Sequence, residues 1–483
     1  MKKAALHNLG CKVNAYETEA MQELLEKNGY EIVPFHDLAD VYVINTCTVT
    51  NMADRKSRQM IHRARKQNPD AVIVAAGCYV QAQADMGELD ENIDIVIGNN
   101  KKKDLIRLLE EYFKEDIPEQ MQEVIDINHT FEYESLHLSR TAEHTRAYLK
   151  VQDGCNQFCT YCIIPYARGR VRSRNIESVL KEVRALSQKG YKEIVLTGIH
   201  LSSYGVDFPE EKKETLLSLI RAVHEIEGIK RIRLGSLEPG IVTREFAEGI
   251  AALPKVCPHF HLSLQSGCDE TLERMNRRYR SGEYRERCEL LREVYGNPAL
   301  TTDVIVGFPK ESEEEFQKSY DFVDSIRFYE THIFKYSRRQ GTKAAAMDGQ
   351  LTEAEKALRS EKMIAMHHRH ASDYEKSMLG KILEVLIEEE YKKDGQTWYL
   401  GHSREYIRTA VEKSESYGVN DIVKVRAEEF LEDCMAVVVD SLEEVREYFE
   451  ESGADVDHMT EEELEEASEV FVLPDGTYLI VEG

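Results

Sequence analysis

The chain has 483 residues, 42% apolar and 31% charged, which excludes a disordered or fibrous protein and leaves room for two to four packed domains. Its formal net charge of −26 argues at first sight against a nucleic-acid partner, but residues 441–483 hold 15 acids against Arg446 alone, a net of −14 that leaves −12 for the first 440 residues. With the excess acid concentrated in a short tail, the informative question is where basic residues cluster locally.

Residues 1–8 are basic, but the apolar run there is too short for a signal peptide and no later stretch approaches a membrane span. No membrane association and a cytoplasmic location are expected. Ten cysteines in such a chain do not suggest a disulfide framework. Six stand where metal is expected, and Cys257, Cys268, Cys288 and Cys434 read as ordinary thiols.

Apolar runs at 4–9, 41–44 and 71–76 are each followed within a few residues by a cysteine, namely Cys11, Cys47 and Cys78. Between them lie helical patterns, one with Ala20, Met21, Leu24 and Leu25 on one face and a stop at Gly29, the next stopping at Asn68 and Pro69. With 93–97 as a fourth strand, this is an open parallel α/β domain whose ligands bind at the carboxyl edge. The three cysteines converge at that edge. Iron-sulfur cubes normally take four cysteines, so three leave one iron open; three unrelated core thiols would instead fall within strands at random phase. The polar segment 126–134 reads as an interdomain connection.

Cys155, Cys159 and Cys162 form the next group, spaced by three and then two residues, with Tyr161 before the last. Again one iron is left open. An open metal position marks a working site, and the amino and carboxylate groups of S-adenosylmethionine suit it. A zinc knuckle is the alternative, but it needs a second ligand doublet and none follows. Runs at 147–151, 193–197, 231–235, 259–264, 301–306 and 332–336 read as six strands, separated by helices such as 176–188 before Gly190. They predict a partial (β/α)6 barrel with its chemistry at the strand carboxyl ends. Thr197, Gly198, Glu238, Ser263, Gln265 and Gly307 fall at those ends and are candidate cofactor-binding residues.

Beyond residue 371 the pattern changes to short strands at 381–387, 397–400, 406–411 and 421–425, a small antiparallel β domain. Trp398, Tyr399, Arg404, Tyr406 and Arg408 are candidates for a face that reads single-stranded nucleic acid. A plain solvated β domain is the alternative, because residues 371–437 carry 15 acids and 9 bases. In the acidic tail, Pro474-Asp475-Gly476-Thr477 reads as a hairpin turn between two apolar strands.

Gly10-Cys11-Lys12-Val13-Asn14, Asn45-Thr46-Cys47-Thr48-Val49-Thr50 and Gly77-Cys78, then Asp153 through Cys162 and Ile163-Ile164-Pro165, are together similar to the motifs of the radical S-adenosylmethionine methylthiotransferases. Arg168-Gly169-Arg170, Arg172-Ser173-Arg174, His261-Leu262-Ser263-Leu264-Gln265-Ser266-Gly267, Met275-Asn276-Arg277-Arg278-Tyr279 and Asp303 through Pro309 extend the likeness, which runs to about residue 435. The amino-terminal motifs, with Asp54-Arg55-Lys56-Ser57-Arg58, resemble most the branch acting on N6-threonylcarbamoyladenosine (t6A) at position 37, beside the tRNA anticodon.

The resemblance implies two 4Fe-4S clusters. The one held by Cys11, Cys47 and Cys78 handles sulfur and its methyl group; the one held by Cys155, Cys159 and Cys162 splits S-adenosylmethionine to activate carbon 2 of the adenine, and these three cysteines are the candidate catalytic residues. It further implies tRNA as partner, an electron donor such as a flavodoxin or ferredoxin, and a sulfur source. The β domain resembles a TRAM domain. The expected organisation is an amino-terminal domain over 1–140, a radical domain over 141–370, a TRAM-like domain over 371–437 and an acidic extension over 438–483. Two basic runs follow cluster cysteines, giving Arg55, Arg58, Arg63, Lys66, Arg168, Arg170, Arg172 and Arg174 as candidate RNA contacts; a solvated face is the bland alternative. Two rival functions stay open: methylthiolation of a ribosomal-protein side chain, and a non-catalytic metal-containing RNA-binding protein.

Overall fold

The computed structural model describes residues 1–87, 89–114, 119–138, 145–393, 396–428, 436–439, 441–451, 464, 470–472 and 478–481. The first domain contains β1 (Lys3–Asn8), α1 (Lys12–Lys27), β2 (Glu31–Ile32), β3 (Val41–Thr46), α2 (Asn51–Gln67), β4 (Val72–Gly77), α3 (Cys78–Met86), β5 (Ile95–Ile97), α4 (Leu105–Tyr112) and β6 (Met121–Glu123). Its sheet is parallel throughout, in the order β2-β1-β3-β4-β5-β6. Every residue of β3 and β4 is buried, as expected of strands covered by helices on both faces, and this is why they read as continuous apolar runs. All four predicted strands are present; the short edge strands β2 and β6 had no apolar run to announce them. Winding reverses between β1 and β3, so the ligand crevice of such a sheet lies between their carboxyl ends. α2 begins where the Thr50 hydroxyl accepts the Ala53 N–H and ends at Asn68, the residue before Pro69.

The second domain contains β7 (Ala147–Asp153), α5 (Ile164–Ala167), β8 (Arg172–Ser173), α6 (Ile176–Gln188), β9 (Glu193–Gly198), α7 (Leu216–His224), β10 (Arg231–Leu234), α8 (Arg244–Ala251), β11 (His259–His261), α9 (Asp269–Arg274), α10 (Ser281–Tyr295), β12 (Ala299–Val306), α11 (Glu313–Ile326), β13 (Glu330–Lys335) and α12 (Glu353–Lys376). Parallel pairing joins β7 to β9 and β9 to β10, and β11 to β12 and β12 to β13; bridges from Ile232 to Val256 and from Leu237 to Leu262 join the two halves. The six predicted strands therefore form the predicted open (β/α)6 arc. β8 pairs antiparallel with β7. α1 is shared between domains, because its Tyr16 and Ala20 belong to the same apolar core as Leu149, Leu196 and Ile220 of the barrel.

The segment 126–134 is less of a free connector than its composition implies. Ile127 is buried, the Tyr133 hydroxyl donates to the Lys150 carbonyl at 2.8 Å, and Leu136 and Leu138 join the barrel core. The expected boundary at 140 lies outside the described residues.

Four antiparallel strands follow, β14 (Ile382–Lys393), β15 (Gln396–Ser403), β16 (Arg408–Glu412) and β17 (Ile422–Arg426), in the order β16-β15-β14-β17. This sheet sits against the amino ends of the barrel strands. Arg233 donates to the carbonyls of Ser403 and Arg404, Arg231 to that of His402, and Arg146 pairs with Glu388 at 2.7 Å. Beyond it are β18 (Ala436–Val439), α13 (Leu442–Glu451), β19 (Val470–Val472) and β20 (Tyr478–Val481). β19 and β20 pair antiparallel as the expected hairpin, whose turn lies outside the described residues. β18 pairs with β20, so the acidic extension forms its own sheet starting before residue 437, and a boundary there divides a strand.

Candidate catalytic cavity with two cysteine triplets

Cys11 caps the start of α1 after β1, Cys47 follows the last residue of β3, and Cys78 opens α3 after β4. Three consecutive crossovers thus deliver the three thiols to the crevice at which the sheet changes direction. The approach is close: a Cβ on Gly10, whose φ is +104°, would lie 2.8 Å from the Cys47 sulfur. Asn14 fixes the rim, its amide donating to the carbonyls of Leu9 at 2.7 Å and Thr46 at 3.1 Å. Burial pushes the Cys47 thiol up to about 12 and raises that of Cys11 as well.

Cys78 receives two donors, Nε of Arg168 at 3.1 Å and the amide of Asn99 at 3.5 Å. Arg168 belongs to a fully buried charge network between the domains. Glu17 of α1 meets Arg168 at 2.8 Å, Lys150 at 2.6 Å and Lys102 at 3.1 Å; Asp153 meets Lys150 at 2.5 Å, Arg168 at 3.3 Å and Arg172 at 3.6 Å. Burial alone would raise both carboxyls, but these cations hold them below the usual carboxylate range. Four cations thus share two carboxylates, and one of the four, Arg168, turns its remaining donor to a thiol. A metal-bound thiolate at Cys78 supplies part of the missing negative charge, so the residues present fit an anionic cluster.

The second triplet follows β7. Arg277 donates to Cys159 at 3.2 Å and pairs with Glu238 at 3.0 Å. Glu238 in turn accepts from Gln157 at 2.9 Å and from His200 at 2.7 Å. Burial raises the thiol of Cys155 to about 11 and that of Cys162 to about 12. The aromatic ring of Tyr161 packs edge-on against Phe308 at 6.3 Å.

Spacing separates a cube from a single zinc. Zinc–sulfur bonds of ~2.3 Å put tetrahedral sulfurs roughly 3.8 Å apart. Among the described residues, the ligand atoms of neither cysteine triplet all lie within 4.8 Å of one another; the group that does is His261, Asp303 and His332. As placed, neither triplet is drawn in to the spacing of a tetrahedral zinc site.

Other candidates divide. Glu238 lies against the second triplet through Arg277. Gln265 lies four residues beyond β11, beside β12, with φ +70° and its N–H on the Asp303 carbonyl at 2.8 Å. The Ser263 carbonyl is taken by the Tyr279 hydroxyl at 2.7 Å. Thr197 is buried, Gly198 packs on Gln152, and the N–H of Gly307 is committed to Glu311 at 2.7 Å.

The second basic run is corrected. Arg168, Arg172 and Arg174 are buried; Arg168 and Arg172 serve the network above, and Arg174 pairs with Glu182 at 2.5 Å. No phosphate reaches them. Arg170 is partly exposed and lies over Phe158 at 4.5 Å. On α2, Arg58 and Lys66 are exposed and Arg55 and Arg63 partly so. The aromatic face read on the β domain is also corrected: Tyr406 stacks on His259 at 4.9 Å and on His402 at 4.6 Å under Arg146 and Arg233, and Arg404 donates to the Pro254 and Val256 carbonyls. These two side chains dock the domain, and Tyr399 is buried in its core, which leaves Trp398 and Arg408. Sequence reasoning did not single out Asn99, Glu17 or Lys150, whose roles depend on partners far along the chain.

Residues 149–323 match the Radical SAM superfamily and residues 3–98 the Uncharacterized protein family UPF0004. The threonylcarbamoyladenosine tRNA methylthiotransferase MtaB of Bacillus subtilis (strain 168) is 42% identical over 427 residues, 88% of this chain and 94% of that protein. Its namesake in Aquifex aeolicus (strain VF5) is 42% identical over 80% of this chain and 93% of its own. The tRNA-2-methylthio-N(6)-dimethylallyladenosine synthase of Thermoanaerobacter pseudethanolicus (strain ATCC 33223 / 39E) is 36% identical over 80% and 83%. In fold, the chain is similar to the radical S-adenosylmethionine methyltransferase TsrM from Kitasatospora setae, with a TM-score of 0.51 and 15% identity over 69% of this chain and 72% of that one. The chain belongs to the radical S-adenosylmethionine methylthiotransferase family.

Proposed function

We propose that this protein adds a methylthio group to carbon 2 of N6-threonylcarbamoyladenosine at position 37 of tRNA, by radical chemistry on S-adenosylmethionine. The observation that carries the reading is the pair of open cysteine triplets, each with an arginine on one sulfur, at strand carboxyl ends in abutting domains. The relatives of like name, matched over more than nine-tenths of their length, support the choice of nucleoside. In this reading Cys11, Cys47 and Cys78 hold one 4Fe-4S cluster and Cys155, Cys159 and Cys162 the other. When bound, the two clusters and S-adenosylmethionine supply reductive cleavage and sulfur.

The chain's own residues do the rest. Arg168 and Arg277 would balance thiolate charge, and Glu238, held by Arg277, His200 and Gln157, presents an oriented carboxylate beside the second cysteine triplet. Tyr406, clamped under Arg146 and Arg233, closes the amino end of the barrel against water. The exposed bases of α2 hold RNA phosphate. In this reading an amino-terminal domain over 1–140, a radical domain over 141–370 and a TRAM-like domain from 371 are followed by an acidic extension whose sheet begins at β18. A low-potential flavodoxin or ferredoxin and a separate sulfur source complete a cytoplasmic reaction; among the described residues no helix is long and apolar enough to cross a membrane. Mass spectrometry of tRNA nucleosides from cells lacking the protein tests this: the methylthio form of t6A disappears and t6A remains. Loss of a methylthio group from a ribosomal protein instead would favour the rival substrate.

A further inference from the structure

The inner wall of the barrel carries a polar group that neither cysteine triplet uses. From β11 to β13, side chains alternate between two faces. Phe260, Leu262, Leu300 and Val304 enter the apolar core with Leu272, Tyr284, Phe316 and Val323 of the covering helices. His261, Thr301 and Asp303 therefore stand on the opposite face, toward the inside of the arc. His332 is paired with Asp303 in the register of β12 and β13 and joins them there, while its neighbour Ile333 packs against the core.

Ser263, two residues beyond His261, sets the height of this group on the wall. Arg277 reaches the Ser263 carbonyl at 3.5 Å with one terminal nitrogen and the Cys159 sulfur at 3.2 Å with the other. Two residues of extended chain span roughly 6.7 Å, so His261 lies one strand repeat below the residue that Arg277 ties to the second triplet.

Nε2 of His261 is 3.1 Å from Oδ2 of Asp303, and its Nδ1 is 3.0 Å from the Thr301 hydroxyl. The His332 ring stacks with that of His261 at a centroid distance of 5.6 Å. One ligand atom from each of His261, Asp303 and His332 lies within 4.8 Å of the other two. The side chains of His261 and Asp303 are 12% and 26% exposed and His332 is exposed, so the group is open from the side of β13.

Two imidazoles and one carboxylate on three adjacent strands are a donor set for a divalent transition metal. Zinc bonds of about 2.0–2.1 Å need ligand atoms roughly 3.4 Å apart. His261 and Asp303 already meet that spacing, and the exposed His332 closes the rest by side-chain rotation. Thr301 supplies what such a histidine needs behind it: with Nδ1–H donated to the hydroxyl, Nε2 is left to offer its lone pair.

We propose that His261, Asp303 and His332 form a site for one divalent transition-metal ion, distinct from both cysteine triplets, with water in the remaining position.

The test uses the reconstituted full-length protein, equilibrated anaerobically with excess zinc sulfate, desalted and analysed for zinc and iron; zinc outcompetes any ferrous ion left at a site of this kind. The wild type is expected to retain about one zinc per chain with its iron unchanged, and X-ray absorption at the zinc edge to show only nitrogen and oxygen ligands at about 2.0–2.1 Å. His332→Ala and Asp303→Asn are expected to lose the zinc and keep the iron, and Thr301→Val to weaken zinc binding about 10- to 100-fold. A wild type that retains no zinc, in which His261 and Asp303 are an ordinary hydrogen-bonded pair, would overturn the proposal. So would sulfur ligands at about 2.3 Å, which place the ion on cysteines, or full zinc retention in His332→Ala and Asp303→Asn. Should these variants lose their iron as well, the zinc edge of the wild type decides alone.

Discussion

Arg168 donates from Nε to the Cys78 sulfur at 3.1 Å while its terminal nitrogens reach Glu17 at 2.8 and 3.0 Å. One guanidinium therefore joins a cluster-side thiol of the first domain, the helix that follows Cys11, and the loop that follows Cys162. Arg168→Met removes that tie and leaves two buried carboxylates with fewer cations. Breaking a buried pair costs about 3–5 kcal/mol. Thermal unfolding and iron analysis are expected to show a destabilised chain holding about four irons rather than about eight; unchanged stability and iron would remove Arg168 from the cluster's support.

Cys159→Ala takes one of three ligands from an already open site. It is expected to abolish 5'-deoxyadenosine formation while the first cluster's iron and spectrum remain. Deoxyadenosine at the wild-type rate would take Cys159 out of the radical site.

Cys47→Ala acts on the other triplet. S-adenosylmethionine is still expected to be cleaved, with no methylthio product in the tRNA digest. Product at wild-type yield would leave Cys11, Cys47 and Cys78 without a role in sulfur handling.

α2 carries the basic face that remains after the burial of Arg168, Arg172 and Arg174. Replacing Arg55, Arg58, Arg63 and Lys66 by Ala is expected to weaken tRNA binding regardless of sequence and to flatten its salt dependence by roughly 0.7 to 0.9 log units for each phosphate no longer neutralised. Arg65 is not in this set, because it already holds Asp94 at 2.6 Å. An unaltered affinity and slope would make the helix an ordinary solvated face. Removing the acidic extension should do the opposite, provided the cut precedes β18. Residues 429–483 carry 19 acids and one base, a net of −18 that repels phosphate over about a Debye length, so tRNA binding becomes equal or tighter at low salt.

Glu375 on α12 gives a prediction about stability. Burial raises its carboxyl to about 7, with the Tyr329 hydroxyl hydrogen-bonded to it at 3.3 Å. Because the folded value lies above the unfolded one of about 4.3, the folded chain binds the extra proton between those values, and stability falls as pH rises through that window. Glu375→Gln removes the penalty. The variant is expected to melt higher than wild type at pH 8, with the gain vanishing toward pH 4; equal melting temperatures at pH 8 would contradict the assignment.

The repeating architecture was legible because its signals are local. Buried parallel strands are apolar runs, and Cys11, Cys47 and Cys78 each stand just past one; the end of α6 could be read from Gly190. The charge network was not legible. Arg168 and Glu17 are 151 positions apart, and a run of arginines looks the same whether its partners are phosphates in solvent or buried glutamates. Tyr406 misled for a related reason, since an aromatic beside bases serves equally to stack a nucleobase or to dock one domain on another. β18 was hidden because its partner β20 is nearly forty residues further on in the acidic segment.

The central claim is that the two cysteine triplets each hold an open cluster and that the two act together on t6A. Anaerobic reaction of the reconstituted protein with S-adenosylmethionine, a reductant and matched tRNAs bearing t6A or N6-dimethylallyladenosine, followed by nucleoside mass spectrometry, tests it most directly. The account predicts the methylthio group on t6A alone. Product on the dimethylallyl nucleoside in preference to t6A, or deoxyadenosine with no methylthio product on either, would contradict it.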